Sequence, residues 1–186
     1  MNMPEAGSST TQRLFFALWP DQKTRGRMER VQHRFKHYRA HWTKPEKLHV
    51  TLFFLGKVEP AHVPSVVETA AGLRGSPFHL VLDCAMPIHR SGLLWLTPRQ
   101  PPDELGTLVK ELTTRLQPRG FEPEARRFRP HVTLARKLSG KPNCQEIDPI
   151  DWPIDSFALV ESKTDNTGSH YVVRELWRFG QQFGGV

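Results

Sequence analysis

Apolar and polar positions alternate with a period of two over several short stretches and with a helical period over three longer ones. Residues 13–19 read as a strand halted by Pro20, after which Asp21 can cap a helix carrying Met28, Val31, Phe35 and Tyr38 at helical spacing. Pro60 opens a second helix with Val63, Val66, Val67, Ala70 and Leu73 on one side, closing near Gly72 and Gly75. Strands are expected over 78–85 and 93–97, with Ser91-Gly92 as the turn of a hairpin. Pro101-Pro102-Asp103 starts a third helix, striped by Leu105, Leu108, Val109, Leu112 and Leu116 and ended by Pro118-Arg119-Gly120. Residues 139–153 are polar and interrupted by proline, so a loop is expected there. Strands over 154–162 and 171–179 follow, joined through Asp165-Asn166-Thr167-Gly168. Such a mixture, with hairpins outnumbering crossovers, predicts an α+β fold on antiparallel sheet.

One tetrapeptide occurs twice, as His49-Val50-Thr51-Leu52 and as His131-Val132-Thr133-Leu134. On a strand, residues two apart share a face, so each copy presents an imidazole and a hydroxyl on one side and two apolar side chains on the other. The spacing of the copies points to two similar lobes, in a single domain expected over 13–186. Residues 1–12, polar and rich in Ser and Thr, are expected to be a disordered tail.

Composition narrows the setting. The 186 residues carry 26 Lys and Arg against 19 Asp and Glu, a net charge of +7 that suits a polyanion such as RNA. Cys84 and Cys144 are too few for a disulfide framework, which makes a reducing cytoplasm the expectation. There is no bilayer-spanning apolar run and no signal-peptide pattern. No membrane and no obligate protein partner are expected, and a monomer suffices.

Two imidazoles and two hydroxyls converging on one volume suit a phosphate. Thr51 and Thr133 can donate hydrogen bonds to non-bridging oxygens while one histidine accepts a proton and the other gives one. A cyclic phosphodiester needs only one base, one acid and charge stabilisation to open, so no metal and no cofactor are expected. Positive charge gathers around the second copy, as Arg126, Arg127, Arg129, Arg136 and Lys137. Arg136, if it returns to the histidine face, could grip a phosphate bidentately; otherwise it is a solvated strand end. Phe53, on the motif face by simple alternation, could stack a base or join the core. Tyr171, facing Glu161 across the last hairpin, could border that volume. Trp42 is expected to pack the lobe. His33 and His37 lie four apart, but no third ligand accompanies them, so a solvated face is expected.

The segment from Trp42 through His49-Val50-Thr51-Leu52 to Gly56, together with Arg129-Pro130-His131-Val132-Thr133-Leu134-Ala135-Arg136, closely resembles the two-histidine (2H) phosphoesterase superfamily. Its branch of RNA 2',3'-cyclic phosphodiesterases, also described as 2'-5' RNA ligases, is the nearest in pattern. The opening Leu14-Phe15-Phe16-Ala17-Leu18-Trp19-Pro20-Asp21 and the late Leu159-Val160-Glu161-Ser162 fit as well, whereas Trp177-Arg178-Phe179 departs from the usual apolar run. The resemblance implies a bilobal, pseudo-twofold fold with the two motifs lining a cleft, and hydrolysis of RNA 2',3'-cyclic phosphate ends to 2'-phosphomonoesters. It also implies that His49 is the proton donor and His131 the proton acceptor, an assignment that residue chemistry alone leaves open. A 2'-5' ligase at the same site and a non-catalytic RNA-binding module are the alternatives.

Overall fold

In the computed structural model, which describes residues 11–165 and 168–180, three α-helices cover one face of a nine-stranded antiparallel sheet. The strands are β1 (Gln12–Leu18), β2 (His41–Trp42), β3 (Val50–Val58), β4 (Phe78–Ile88), β5 (Leu93–Thr97), β6 (Val132–Arg136), β7 (Gln145–Ile154), β8 (Ser156–Asp165) and β9 (Gly168–Arg178). The helices are α1 (Gln22–Arg34), α2 (Val63–Ala71) and α3 (Asp103–Leu116). Strand order is β7-β4-β5-β6-β3-β1-β8-β9, with β2 beside the far end of β6. Among the described residues, no helix is long and apolar enough to cross a membrane.

Local chemistry explains the boundaries. Asp21 caps α1, its carboxylate accepting from the Thr24 N–H at 2.6 Å, and that bond holds its pKa below the ordinary value. Leu105, Leu108, Leu112 and Leu116 of α3 are all buried, each contributing about 1.5–3 kcal/mol through the area removed from water. Gly120, with φ of 86°, ends the turn beyond α3 in a conformation that glycine adopts without strain.

The sheet has a seam. β3 and β6 meet through one residue pair, Val50 opposite Val132, leaving β6-β5-β4-β7 on one side and β3-β1-β8-β9 on the other. The helices cross this seam: α1, which follows β1, packs on β6 and β7, whereas α2 and α3 pack on β9 and β3. Arg27 of α1 donates to the Pro149 carbonyl at 2.5 Å, and Gln32 reaches β6. All three helices bury their apolar residues in one large core with Val50 and Val132. The opposite face of the sheet carries only a small cluster, Phe15, Ala17, Ala158 and Val160, bordered by Trp19 and Tyr171.

Several expectations change. Residues 139–153 are not all loop: β7 pairs with β4 and buries Ile147, Ile150, Trp152 and Ile154. It is an edge strand, where Pro149 and Pro153 remove no needed ladder bond. The step of three from Ile147 to Ile150 spans a register shift near Leu82, which hides the period of two. Gln12, expected in the tail, is already part of β1, opposite Val58; residues 1–10 lie outside the described residues. Asn166 and Thr167 of the expected turn also lie outside them, although Asp165 and Gly168 on either side are paired. Trp177 is buried and stacks on Phe157 at 5.2 Å. The two thiols lie side by side, Cys84 Sγ to Cys144 Sγ being 2.7 Å.

Candidate active site

Both motif copies begin one residue before a strand, and both histidines are fixed by the same backbone device. His49 Nδ1 donates to the Lys47 carbonyl at 2.6 Å, and His131 Nδ1 donates to the Arg129 carbonyl at 2.8 Å. A carbonyl can only accept, so each ring carries its proton on Nδ1 and turns Nε2 toward the open face in the neutral form. The antiparallel pair Val50–Val132 brings His49 level with Thr133 and Thr51 level with His131. Both valines are fully buried, so alternation sends the four polar side chains together to the opposite face. The seam of the sheet is therefore the place where the two copies meet.

Beyond the threonines each strand carries a bulge, and the extra residue is in both cases the leucine of the motif. Against β1, Ala17 is opposite Thr51 and Phe16 opposite Phe53, which leaves Leu52 unmatched. Against β5, Trp95 is opposite Thr133 and Leu94 opposite Ala135, which leaves Leu134 unmatched. One extra residue reverses the side-chain alternation that follows. Of the two readings of Phe53, base stacking and core, the second holds: it is only 4 % exposed and sits in the main core. Phe54 takes the histidine face instead, 46 % exposed and 5.8 Å from the Phe15 ring. The same shift acts in the opposite sense on Arg136, three residues past Thr133. Strict alternation would send it to the core side, and the bulge returns it to the histidine face. The Leu134 carbonyl displaced by the bulge accepts from Gln32 Nε2 at 2.8 Å and from the Thr43 N–H at 2.9 Å, so it is buried without an unmet bond.

The surroundings of the two imidazoles differ. His49 lies against Phe15 at 5.1 Å, Trp19 at 5.5 Å and Tyr171 at 5.4 Å between ring centroids. Its Nε2 is 3.0 Å from Thr51 Oγ1. Burial among these rings pushes the pKa down to about 4, with the positive charges of His131 and Arg136 acting the same way. His131 stacks on a single ring, Trp95, at 3.9 Å and 21°. Its pKa is lowered mainly by burial and further by Arg136, while Glu124 pulls it up. Among the described residues its Nε2 has no hydrogen-bond partner. Arg136 thus acts electrostatically on both rings.

The structure brings His49, Thr51, His131, Thr133 and Arg136 to one face and withdraws Phe53. Tyr171 borders His49, although its partner across the β8–β9 hairpin is Ser162 and not Glu161. Lys47 donates to the Ser169 carbonyl beside it and lies 5.7 Å from the Tyr171 ring. Sequence reasoning missed Phe15, Trp19, Phe54 and Trp95. For Phe15, Trp19 and Trp95 the signal is sheet order, since β1 and β5 flank the two motif strands, whereas Phe54 is turned to this face by the bulge at Leu52. No group of three or more His, Cys, Asp or Glu suited to a metal occurs among the described residues.

A family model for the 2'-5' RNA ligase superfamily matches residues 20–166. The chain is 35% identical over 180 residues to the RNA 2',3'-cyclic phosphodiesterase of Escherichia coli K12, an alignment covering 93% of this chain and 99% of that one. It is 32% identical over 146 residues to the RNA 2',3'-cyclic phosphodiesterase of Thermotoga maritima, covering 72% and 76%. The crystal structure of Escherichia coli LigT complexed with 3'-AMP superimposes with a TM-score of 0.81 at 30% identity, covering 92% of this chain and 99% of that one.

Proposed function

This chain belongs to the 2'-5' RNA ligase superfamily, and on that premise we propose that it hydrolyses the 2',3'-cyclic phosphate ends of RNA to 2'-phosphomonoesters, with His49 as acid and His131 as base. The observation that carries the reading is the pair of imidazoles on one sheet face, each held through Nδ1 so that Nε2 is the reacting atom, with Arg136 within electrostatic reach of both.

The unpartnered His131 Nε2 suits the base. It takes a proton from water as the water oxygen bonds to phosphorus, the P–O3' bond breaks, and His49 Nε2–H protonates the departing 3' oxygen. The phosphate stays on the 2' oxygen. Exchange with solvent then takes the proton from His131 and restores one to His49. Proton transfer by each residue contributes about 10²–10⁴ in rate. Thr133 and Arg136 donate to the non-bridging oxygens, whose charge develops in the transition state.

The depressed pKa of His49 has to be offset by the substrate before the residue can act as the acid. With its pKa pushed down to about 4 by burial, His49 in the empty site is neutral at pH 7. An anionic phosphodiester beside it raises the protonated fraction. Once Nε2 is protonated, the Thr51 hydroxyl no longer donates to it and turns to the phosphate. Phe15, Phe54 and Tyr171 support a base stacking beside His49. The names of the relatives favour hydrolysis over the joining reaction. We infer a monomer, because one chain carries both histidines, and a reducing cytoplasm as its setting, because the chain has only two cysteines.

The test is incubation of an RNA oligomer ending in a 2',3'-cyclic phosphate with the protein in excess EDTA. The expected product is the 2'-phosphate alone, with His49→Ala and His131→Ala each slower by about 10³-fold. A 3'-phosphate product, loss of turnover with EDTA, or unimpaired histidine variants would overturn the reading.

A further inference from the structure

A cavity adjoins the β2–β6 strand pair that carries Arg136. Arg136 is opposed across the sheet by His41 of β2, and directly opposed residues in an antiparallel pair point to the same face. Their neighbours Trp42 and Ala135, also opposed, point to the core. His41 therefore lies one strand beyond Arg136 on the histidine side. His41 and its core-facing neighbour Trp42 both line this cavity of about 560 Å³, together with Lys36, His37, Tyr38, Arg39 and Lys137. Lys36, Arg39 and Lys137 are exposed, and among the described residues no carboxylate lines the cavity. Backbone bonds hold its two banks together, the Ser139 N–H donating to the Arg39 carbonyl at 2.8 Å. Tyr38 packs against the core and lies 4.2 Å from the His37 ring, so the floor of the cavity is aromatic.

We propose that this groove is the track for the RNA strand leading into the cyclic end, its phosphates paired with Lys36, Arg39 and Lys137. Cationic side chains on an aromatic floor are what a single strand needs when it is held without regard to sequence. Lys36, Arg39 and Lys137 are assigned neither to proton transfer nor to the terminal phosphate, so turnover of a cyclic mononucleotide does not depend on them. The enzyme thereby acquires a preference for oligomers over cyclic mononucleotides that the two histidines alone do not provide. The proposal rests on the cyclic phosphodiesterase reading.

The experiment compares wild type with Lys36→Gln/Arg39→Gln/Lys137→Gln on two substrates, a 2',3'-cyclic mononucleotide and an RNA oligomer with the same end, across a salt series. All three side chains are solvent-exposed, so the core is untouched. The expected result is unchanged kcat and KM on the mononucleotide, with KM for the oligomer raised about tenfold or more. The slope of log KM for the oligomer against log salt should fall by about 2, at roughly 0.7 per lost phosphate contact. Equal loss on both substrates, or no loss on the oligomer, would overturn the groove assignment. If wild type turns over neither substrate, it is the cyclic phosphodiesterase reading that fails.

Discussion

The two copies of the tetrapeptide share their backbone and differ in their neighbours. In each, the histidine precedes the strand, is held by the carbonyl two residues back, and is followed by a bulge at the motif leucine. His49 is boxed by Phe15, Trp19 and Tyr171 and bonded to Thr51, whereas His131 rests on Trp95 with Nε2 open. The second position after the bulged leucine is Phe54 in one copy and Arg136 in the other. A duplicated scaffold thus supplies positions, and the residues packed around it divide the labour. The apolar side lowers the affinity of His49 for its proton, and in the proposed reaction the charged side receives the phosphate.

The strongest way to break this comparison is Arg136→Gln. It removes the one cation that acts on both rings, and kcat/KM should fall about 10²-fold, as for loss of one charge-stabilising donor. Because that charge depresses both histidines, both limbs of the pH profile should also move up. A slower enzyme with unmoved limbs would separate Arg136 from the pair.

The wild-type profile of kcat/KM should be a bell with both limbs below the ordinary histidine value of 6.5. Below the lower limb both rings are protonated and no base remains; above the upper limb both are neutral and no acid remains. The optimum therefore falls on the acid side of neutrality, with a loss of about tenfold per pH unit above the upper limb. A plateau through pH 8 would contradict the directions of both shifts.

A smaller effect sharpens the asymmetry. Trp19 stacks on His49 and is not in contact with His131 among the ring pairs of the site. Trp19→Leu should raise the His49 pKa and leave that of His131 in place, as read by NMR titration of the histidine ring protons. Equal movement of both would mean that the aromatic box is not what sets His49 apart.

Much of this arrangement is legible in the sequence. The helix periods, the cap at Asp21 and the doubled motif locate the elements, and alternation alone puts the histidines and threonines on one face. What alternation cannot see is the bulge, because the residue left unmatched depends on the partner strand. Alternation puts Phe53 on the wrong face for that reason, and Arg136 reaches the right one only because Leu134 is skipped. β7 was hidden by two prolines that an edge strand tolerates. Trp19 and Trp95 carry no local mark of function; they matter because sheet order sets β1 and β5 beside the motif strands.

The central claim is the division of roles between His49 and His131, and a leaving group that needs no proton tests it most directly. The substrate is a 2',3'-cyclic phosphate with sulfur in place of the 3' bridging oxygen, since a thiolate departs without an acid. The account predicts that this substrate restores His49→Ala by about 10²-fold relative to the oxygen substrate and leaves His131→Ala as slow as before. Restoration of His131→Ala in place of His49→Ala would reverse the assignment.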